Sequence, residues 1–344
     1  MSILLCNKAP SRKEGAFIVK ATQYLPDSGL FFIAYRILVF DTFVLYNSIL
    51  KLLIDNFMNQ DIYPCLWCDD NAEEVATFYA AALQAKITSS NAVVVNIEVA
   101  GDRIMLLNGG ARFTKNPSVS LMLICHSAEE LNQYWDALVK DGVPLMPLDA
   151  YPFADLYGWV RDKYGMTWQL YFKSGYTAEQ RITPTLMFIN QNNGKAKEAI
   201  DLYTAIFADS GIDGIMYYRD GEGGDEPDHI QHAEFRIKHY KIACMDSSLD
   251  HQFDFNEGIS MVAMTQNQEE TDRLWNNLIA DGGSESRCGW LKDKFGLSWQ
   301  IVPKRLAELI GDQKNLAKSK AAMNAMLQMN KIVIADLEAA YNKA

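Results

Sequence analysis

Apolar and polar positions alternate along the chain in a pattern that predicts strands and helices in a regular order. Ile62 to Cys68 alternates with the period of a strand, and Asn71 to Leu83 has apolar residues at helical spacing. Ala92 to Val99 and Arg103 to Leu107 then predict a hairpin that turns at Ala100-Gly-Asp. The first unit of the fold is therefore predicted to be a strand, a helix and further strands.

The next segment predicts the same order of elements. Val119 to Cys125 is a predicted strand, and Ser127 is placed to cap a helix that runs from Ala128 to Lys140. Asp141-Gly142 ends this helix, because glycine adopts the left-handed backbone conformation at little cost. A hairpin over Gly158 to Phe172 completes a second unit of the βαβββ type.

Fourteen residues of the second unit occur again further along the chain. Gly158-Trp-Val-Arg-Asp-Lys-Tyr-Gly-Met-Thr-Trp-Gln-Leu-Tyr171 returns as Gly289-Trp-Leu-Lys-Asp-Lys-Phe-Gly-Leu-Ser-Trp-Gln-Ile-Val302, with seven identical positions. Ala72 to Tyr79 likewise matches Ala196 to Tyr203. A duplicated segment means that one architecture is used twice. Because the first copy is predicted to contain two βαβββ units, four such units are predicted in the chain.

These repeats divide the chain into four segments. We predict one domain over residues 58–175 and a second over 181–304, with a helical tail over 305–344. Residues 1–57 resemble nothing in the repeats, and we expect a loosely structured extension or a functional start at Met58. The tail carries a methionine-rich apolar stripe that favours packing against a domain, with a partner-binding surface as the alternative.

Composition narrows the classes of protein that fit. The net charge of −11 argues against a nucleic-acid partner or an anionic membrane surface. The apolar stretch from Leu30 to Ile54 is interrupted by Arg36, Asp41 and Lys51, which argues against stable membrane insertion. The six cysteines do not recur at paired positions, so no shared disulfide framework is expected. We therefore predict a cytoplasmic protein.

Three motifs carry a resemblance to a known family: Leu-Leu-Asn108-Gly-Gly110, the segment from Gly289 to Gln300, and the tail sequence Ala325-Met-Leu-Gln-Met-Asn-Lys-Ile332. Over residues 60–344 the chain resembles the PhnB-like family of the vicinal oxygen chelate superfamily, whose domain is often labelled 3-demethylubiquinone-9 3-methyltransferase-like. The resemblance implies an α+β fold, a tandem duplication of a glyoxalase-like domain in which two βαβββ modules form an open half-barrel. It also implies a monomer that acts as a pseudo-dimer, or a homodimer.

The resemblance implies a divalent metal as well, because enzymes of the superfamily hold one with His, Glu or Gln on inward-facing strands. The corresponding positions in this chain are Gln169 and Gln300, a site near Pro64 and Pro184, and a site near Ser120 and Ser260. Proline has no side-chain ligand atom, serine is a poor ligand, and catalytic metals normally need about three protein ligands. We therefore expect no cofactor, and a divalent metal is the alternative.

Candidate site residues fall into two groups. His232 and Glu234 stand two apart on a predicted strand and thus share a face, which makes them candidates for catalysis or, with Gln300, for metal binding. Aromatic residues and nearby polar ones are predicted to line the clefts, although core packing competes as an explanation for the aromatic ones. The predicted ligand-binding residues are Trp67, Asn108, Phe113, Trp159, Trp168, Gln169, Asp246, His251, Phe253, Trp290, Trp299 and Gln300.

The function expected from these residues is binding of a small aromatic or apolar metabolite in a sheet-lined cleft without a complete metal site. One alternative is a metal-dependent lyase, isomerase or dioxygenase with its site in the second domain. Another is a non-catalytic interaction protein that uses the helical tail. The methyltransferase label gains no support, because no glycine-rich loop follows a strand and opens a helix.

Overall fold

A computed structural model describes residues 60–220 and 224–344, and all structural statements concern these residues. The extension over 1–57 and the proposed start at Met58 lie outside them. Four βαβββ modules follow one another, which confirms the duplicated α+β fold predicted from the sequence.

Modules 1 and 2 occupy the first repeat. Module 1 comprises β1 (Ile62–Cys68), α1 (Ala72–Ala82), β2 (Lys86–Ser90), β3 (Val94–Val99) and β4 (Asp102–Asn108). Module 2 comprises β5 (Val119–Ile124), α2 (Ala128–Val139), β6 (Val143–Tyr151), β7 (Ala154–Arg161) and β8 (Thr167–Phe172). The predicted cap of α2 is confirmed, because the backbone N–H of Glu130 donates to Ser127 Oγ at 3.1 Å.

Modules 3 and 4 occupy the second repeat and are followed by the tail. Module 3 comprises β9 (Ile182–Ile189), α3 (Ala196–Ile206), β10 (Gly211–Tyr217), β11 (Ile230–Ile237) and β12 (Tyr240–Ser247). Module 4 comprises β13 (Ile259–Thr265), α4 (Gln268–Leu278), β14 (Ser284–Glu285), β15 (Trp290–Lys292) and β16 (Ser298–Pro303). The tail contains α5 (Lys304–Ile310), α6 (Leu316–Met326) and α7 (Ile334–Lys343).

Each of the two eight-stranded sheets combines one module from each repeat. Sheet 1 has the order β14-β15-β16-β13-β1-β4-β3-β2 and unites modules 4 and 1. Sheet 2 has the order β10-β11-β12-β9-β5-β8-β7-β6 and unites modules 3 and 2. The first strands of the modules join antiparallel at the centre, with Cys65 opposite Ser260 in sheet 1 and Ser120 opposite Thr185 in sheet 2. Both sheets are thus completed within one chain, as expected for a pseudo-dimer. The alternative of a homodimer stays a prediction.

Within each repeat, a buried carboxylate joins the two modules. Asp162 Oδ2 accepts hydrogen bonds from the Tyr79 hydroxyl at 2.7 Å and from Trp168 Nε1 at 3.0 Å, while Oδ1 accepts two backbone N–H groups. Burial raises the pKa of Asp162, and the donors around it act in the opposite direction. Because Tyr79 lies on α1 and Trp168 on β8, this carboxylate fastens module 1 to module 2.

The second repeat contains the same arrangement. Asp293 Oδ2 accepts from Tyr203 at 2.7 Å and from Trp299 Nε1 at 2.9 Å, and its Oδ1 accepts two backbone N–H groups. The repeated Asp-Lys-(Tyr or Phe)-Gly-X-X-Trp pattern in the sequence therefore marks a structural junction in both repeats.

The tail packs against module 4 through its apolar stripe. Leu306, Leu309, Ala322, Ile332 and Leu337 form a buried cluster, with Met326 and Met329 packed against it. The backbone N–H groups of Cys288 and Gly289 donate to the carbonyl oxygens of Met329 and Asn330 at 2.8 Å. Packing therefore buries part of the stripe, and a partner-binding surface stays the alternative. In the ranges described, no helix is long and apolar enough to cross a membrane.

We predict that Asp162→Asn lowers the free energy of unfolding by about 1 to 3 kcal/mol, because an amide NH₂ then faces two donors in place of an acceptor oxygen. Urea unfolding of the full chain measures this change. Asp201→Asn is the matched control, since Asp201 is exposed and its ion pair with Lys197 contributes little; we expect a change within about 0.5 kcal/mol. Equal effects of the two substitutions would contradict the junction role of Asp162.

Candidate functional site

Each sheet has one face packed against α1–α4 and an opposite face, here called its cleft face. On β1, Ile62, Leu66 and Cys68 belong to the core beneath the helices, whereas Tyr63 and Cys65 belong to a separate cluster on the other side. This separation follows from the alternation of side chains along a strand. The cluster on the cleft face of sheet 1 comprises Tyr63, Cys65, Met105, Val262 and Met264.

Three of the predicted aromatic residues meet at the rim of this face. The Trp67 ring contacts Phe113 edge-on at a centroid distance of 4.9 Å and Trp290 at 5.9 Å. All three side chains are half-buried. Trp67 comes from module 1 and Trp290 from module 4, so the rim exists because the sheet unites the two repeats.

The Asn108-Gly-Gly110 motif holds Trp67 in place. Trp67 Nε1 donates to the carbonyl oxygen of Gly110 at 2.7 Å. A Cβ atom at position 109 would lie 2.1 Å from the indole ring, so only glycine fits there. The motif therefore orients an aromatic side chain of the rim.

Deeper on the same face, the polar groups are few and mutually bonded. Gln300 Nε2 donates to Ser260 Oγ at 3.0 Å, and burial raises the pKa of the Cys65 thiol to about 12. At the other end of the face, the Arg103 guanidinium lies 3.9 Å from the centre of the Tyr63 ring and donates to Asn96 Oδ1. Sequence reasoning missed Tyr63, Cys65 and Arg103, although the strand alternation that places Pro64 on the helix face would have identified the first two.

The cleft face of sheet 2 has a related arrangement with different side chains. Gln169 Nε2 donates to Ser120 Oγ at 2.6 Å and its Oε1 accepts from the Tyr157 hydroxyl at 2.9 Å. Thr183 and Thr185 take the positions that Tyr63 and Cys65 hold in sheet 1. Sequence reasoning missed both threonines. Trp159 lies directly opposite Gln169 on the neighbouring strand.

The structure does not assemble the predicted set of His232, Glu234 and Gln300. His232 and Glu234 lie on β11 in sheet 2, whereas Gln300 lies on β16 in sheet 1. Glu234 instead forms an ion pair with Lys241 at 2.8 Å, and His232 Nε2 is 3.8 Å from its carboxylate. The His232 imidazole and the Lys241 ammonium lower the pKa of Glu234 to about 2. Glu234 is therefore held in an ion pair on sheet 2, away from Gln300, and an acid–base role for His232 and Glu234 stays a prediction.

Trp168 and Trp299 lie in the core and not on a cleft face. Both indoles are fully buried, and their nitrogen atoms donate to Asp162 and Asp293. Each is next in sequence to a glutamine on the cleft face, so alternation places the tryptophan beneath the helices. Core packing, the competing explanation, accounts for this pair.

Asn108 and Asp246 each accept hydrogen bonds at the start of the helix in their module. Asn108 Oδ1 accepts from the backbone N–H of Ala72 at 2.9 Å, at the first turn of α1. Asp246 Oδ1 accepts from the N–H groups of Gly194 and Ala196 at 2.9 and 3.1 Å, at the start of α3. These oxygen atoms satisfy helix N-termini, so both residues have a capping role, and the predicted ligand contact stays a prediction.

His251 and Phe253 lie in the loop that follows β12, at the end of sheet 2. His251 Nε2 is 2.9 Å from Ser247 Oγ, and its ring centre is 5.1 Å from that of Phe253. Both residues therefore lie beside the end of β12.

The residues present do not fit the divalent metal that the superfamily implies. On sheet 1 the positions that face the cleft are Cys65, Ser260 and Gln300, with Met105 opposite Cys65. The first-strand position thus falls on Cys65 and Thr185, one residue after the predicted Pro64 and Pro184. A protonated thiol, a hydroxyl, an amide and a thioether are a weak donor set for a divalent ion. In the part of the chain that the structure describes, no group of three or more His, Cys, Asp or Glu side chains is placed to hold a metal.

The fold of this chain is similar to that of a solved glyoxalase structure. Glyoxalase I from Zea mays matches with a TM-score of 0.52 and 10% identity, over 73% of this chain and 95% of that one. A PhnB protein from Bacillus cereus is 31% identical over 31% of this chain and 95% of that one, with a TM-score of 0.29.

The family model described as 3-demethylubiquinone-9 3-methyltransferase matches twice, over residues 60–171 and 180–302. The chain therefore belongs to this PhnB-like family. A comparison with curated protein sequences found no match.

We predict that prolonged treatment with a strong chelator leaves the melting temperature unchanged, because the cleft-face donors bind divalent metals weakly. Differential scanning calorimetry before and after treatment measures this. The same protein titrated with zinc, manganese or nickel is the companion experiment. A fall of several degrees on chelation that the metal reverses would contradict our assessment of the donor set.

Proposed function

We propose that the cleft face of sheet 1 binds a small aromatic or apolar metabolite. The observation that carries this proposal is the half-buried rim formed by Trp67, Phe113 and Trp290, whose rings meet at 4.9 and 5.9 Å. Aromatic edges and faces of this kind favour contact with a further flat ring beside them. Membership of the PhnB-like family supports a site on this side of the sheet.

The floor beyond the rim supports the same class of ligand. Tyr63, Met105, Val262 and Met264 form a buried apolar cluster beneath the rim, and removal of a ligand's apolar area from water is the main source of its affinity. The two methionines are unbranched and adjust their shape to the ligand. The polar groups of the floor, Gln300 and Ser260, are already bonded to each other.

The proposal is one of binding, because the side chains on this face are poorly suited to proton transfer. The Cys65 thiol keeps its proton at neutral pH, and hydroxyl and amide groups are weak bases without an activating partner. His232 and Glu234, the candidates for acid–base chemistry, lie on the other sheet. A reaction at sheet 1 would therefore need groups supplied by the ligand or a cofactor.

We predict that Trp290→Leu weakens binding of naphthalene, used as an apolar aromatic probe, by about tenfold. Loss of an aromatic contact of about 0.5 to 1.5 kcal/mol together with buried area gives a change of this size. Naphthalene affinity is measured from its fluorescence and confirmed by calorimetry on the full chain.

Trp159→Leu is the matched control, since Trp159 holds the equivalent position in sheet 2 and lies opposite Gln169 as Trp290 lies opposite Gln300. We expect it to leave naphthalene affinity within about twofold of the wild type. A larger loss with Trp159→Leu than with Trp290→Leu, or no binding of naphthalene to the wild type, would refute the proposal for sheet 1.

A further inference from the structure

We infer that the cleft face of sheet 2 is a second binding site, which takes a neutral small molecule bearing a carbonyl or hydroxyl oxygen beside an aromatic ring. The hydroxyls of Thr183 and Thr185 and the indole nitrogen Nε1 of Trp159 are buried and have no hydrogen-bond partner among the described residues. Thr183 is 0% exposed and Thr185 is 4% exposed.

Unpaired hydroxyls at these two positions cost folding free energy that valine, which has nearly the same shape, would avoid. The equivalent residues of sheet 1, Tyr63 and Cys65, lie in an apolar cluster with Met105, Val262 and Met264. Thr167 and its counterpart Ser298 are unpaired in both sheets, so they do not distinguish the two faces. Thr183 and Thr185 on β9 do distinguish the two faces, because their hydroxyls are unpaired in sheet 2 alone. A ligand oxygen would supply the hydrogen-bond partner that these hydroxyls lack within the fold.

The charges on this face favour a neutral ligand. On this face the Lys241 ammonium is bound to Glu234 at 2.8 Å, and His232 lies beside the same carboxylate. Arg161 lies at the exposed end of β7, and Arg236 is bound to Asp213. An anionic group buried here would lack an uncompensated cation, so its desolvation would oppose binding.

The site on sheet 2 is bordered by an aromatic wall, and sheet 1 has no such wall among its described residues. The β6–β7 hairpin brings the rings of Tyr151, Phe153 and Tyr157 within 5.1 to 5.6 Å of one another. Tyr157 also bonds to Gln169 on the cleft face, which links the wall to the floor. The corresponding strand β14 of sheet 1 has only two residues, so this wall belongs to sheet 2 alone.

Methionine side chains provide a route to the sealed threonines. Met122 lies opposite Thr183, Met187 follows Thr185 on the same face of β9, and Met245 lies opposite Met187. Methionine has three rotatable bonds and no branch, so it moves aside at lower cost than a β-branched residue. Binding is therefore expected to displace these side chains.

The test compares three probes of similar outline: acetophenone, ethylbenzene, which lacks the oxygen, and benzoate, which adds a charge. Affinities for the full chain are measured by titration with NMR detection of threonine and methionine methyl groups. We expect acetophenone to bind more tightly than either of the others, and to shift the methyl signals of Thr183, Thr185 and Met122.

The variant Thr185→Val is expected to raise the melting temperature and to weaken acetophenone binding at least tenfold, with ethylbenzene affinity unchanged. Thr185→Ser keeps the hydroxyl and should retain acetophenone affinity within about threefold. Trp290→Leu, which tests the site on sheet 1, should leave acetophenone affinity unchanged, so failure of one proposal is distinguishable from failure of the other.

Three outcomes of the binding experiments would overturn the inference. Acetophenone could show no detectable binding. Either ethylbenzene or benzoate could bind as tightly as acetophenone, or Thr185→Val could leave acetophenone affinity unchanged. A fall in the melting temperature of Thr185→Val would also overturn it, because the hydroxyl would then have a structural partner within the fold.

Discussion

The rest of the structure depends on one buried carboxylate that occurs twice. Asp162 and Asp293 each accept hydrogen bonds from a tyrosine hydroxyl, a tryptophan indole and two backbone N–H groups. Because the tyrosine comes from the first module of a repeat and the tryptophan from the second, the carboxylate sets how the two modules pack. Its burial is tolerable only because donors surround both oxygens. This requirement explains why the segment around each aspartate is so similar in the two repeats.

Packing of the modules through their helix faces leaves the first strand of each module to pair with a strand of the other repeat. The two sheets therefore unite modules 1 with 4 and 2 with 3, and each cleft face is built from residues far apart in the sequence. Trp67 and Trp290 meet on sheet 1 for this reason, as do Gln300 and Cys65. The two faces then differ in chemistry: sheet 1 presents an apolar floor with an aromatic rim, and sheet 2 presents threonines, an ion pair and an added aromatic hairpin.

Much of the fold could be predicted from the sequence, because duplication and local periodicity report directly on modules, helices and caps such as Ser127. The pairing of modules could not, since strand partners are chosen by long-range packing that periodicity does not encode. Long-range packing also limits how well the site residues can be predicted from the sequence. Trp168 and Trp299 resemble rim residues in sequence, but alternation places them in the core beside Gln169 and Gln300. The sequence predicts Asn108 and Asp246 as ligand-binding residues, and their role in capping becomes clear only when α1 and α3 lie beside them.

The central claim is that residues of both repeats build one aromatic binding face on sheet 1. The most direct measurement is intermolecular nuclear Overhauser spectroscopy of naphthalene bound to the full chain with assigned indole signals. Our account predicts contacts from the probe to both Trp67 and Trp290, one from each repeat. Contacts to only one of these indoles, or contacts that instead centre on Trp159, would contradict it.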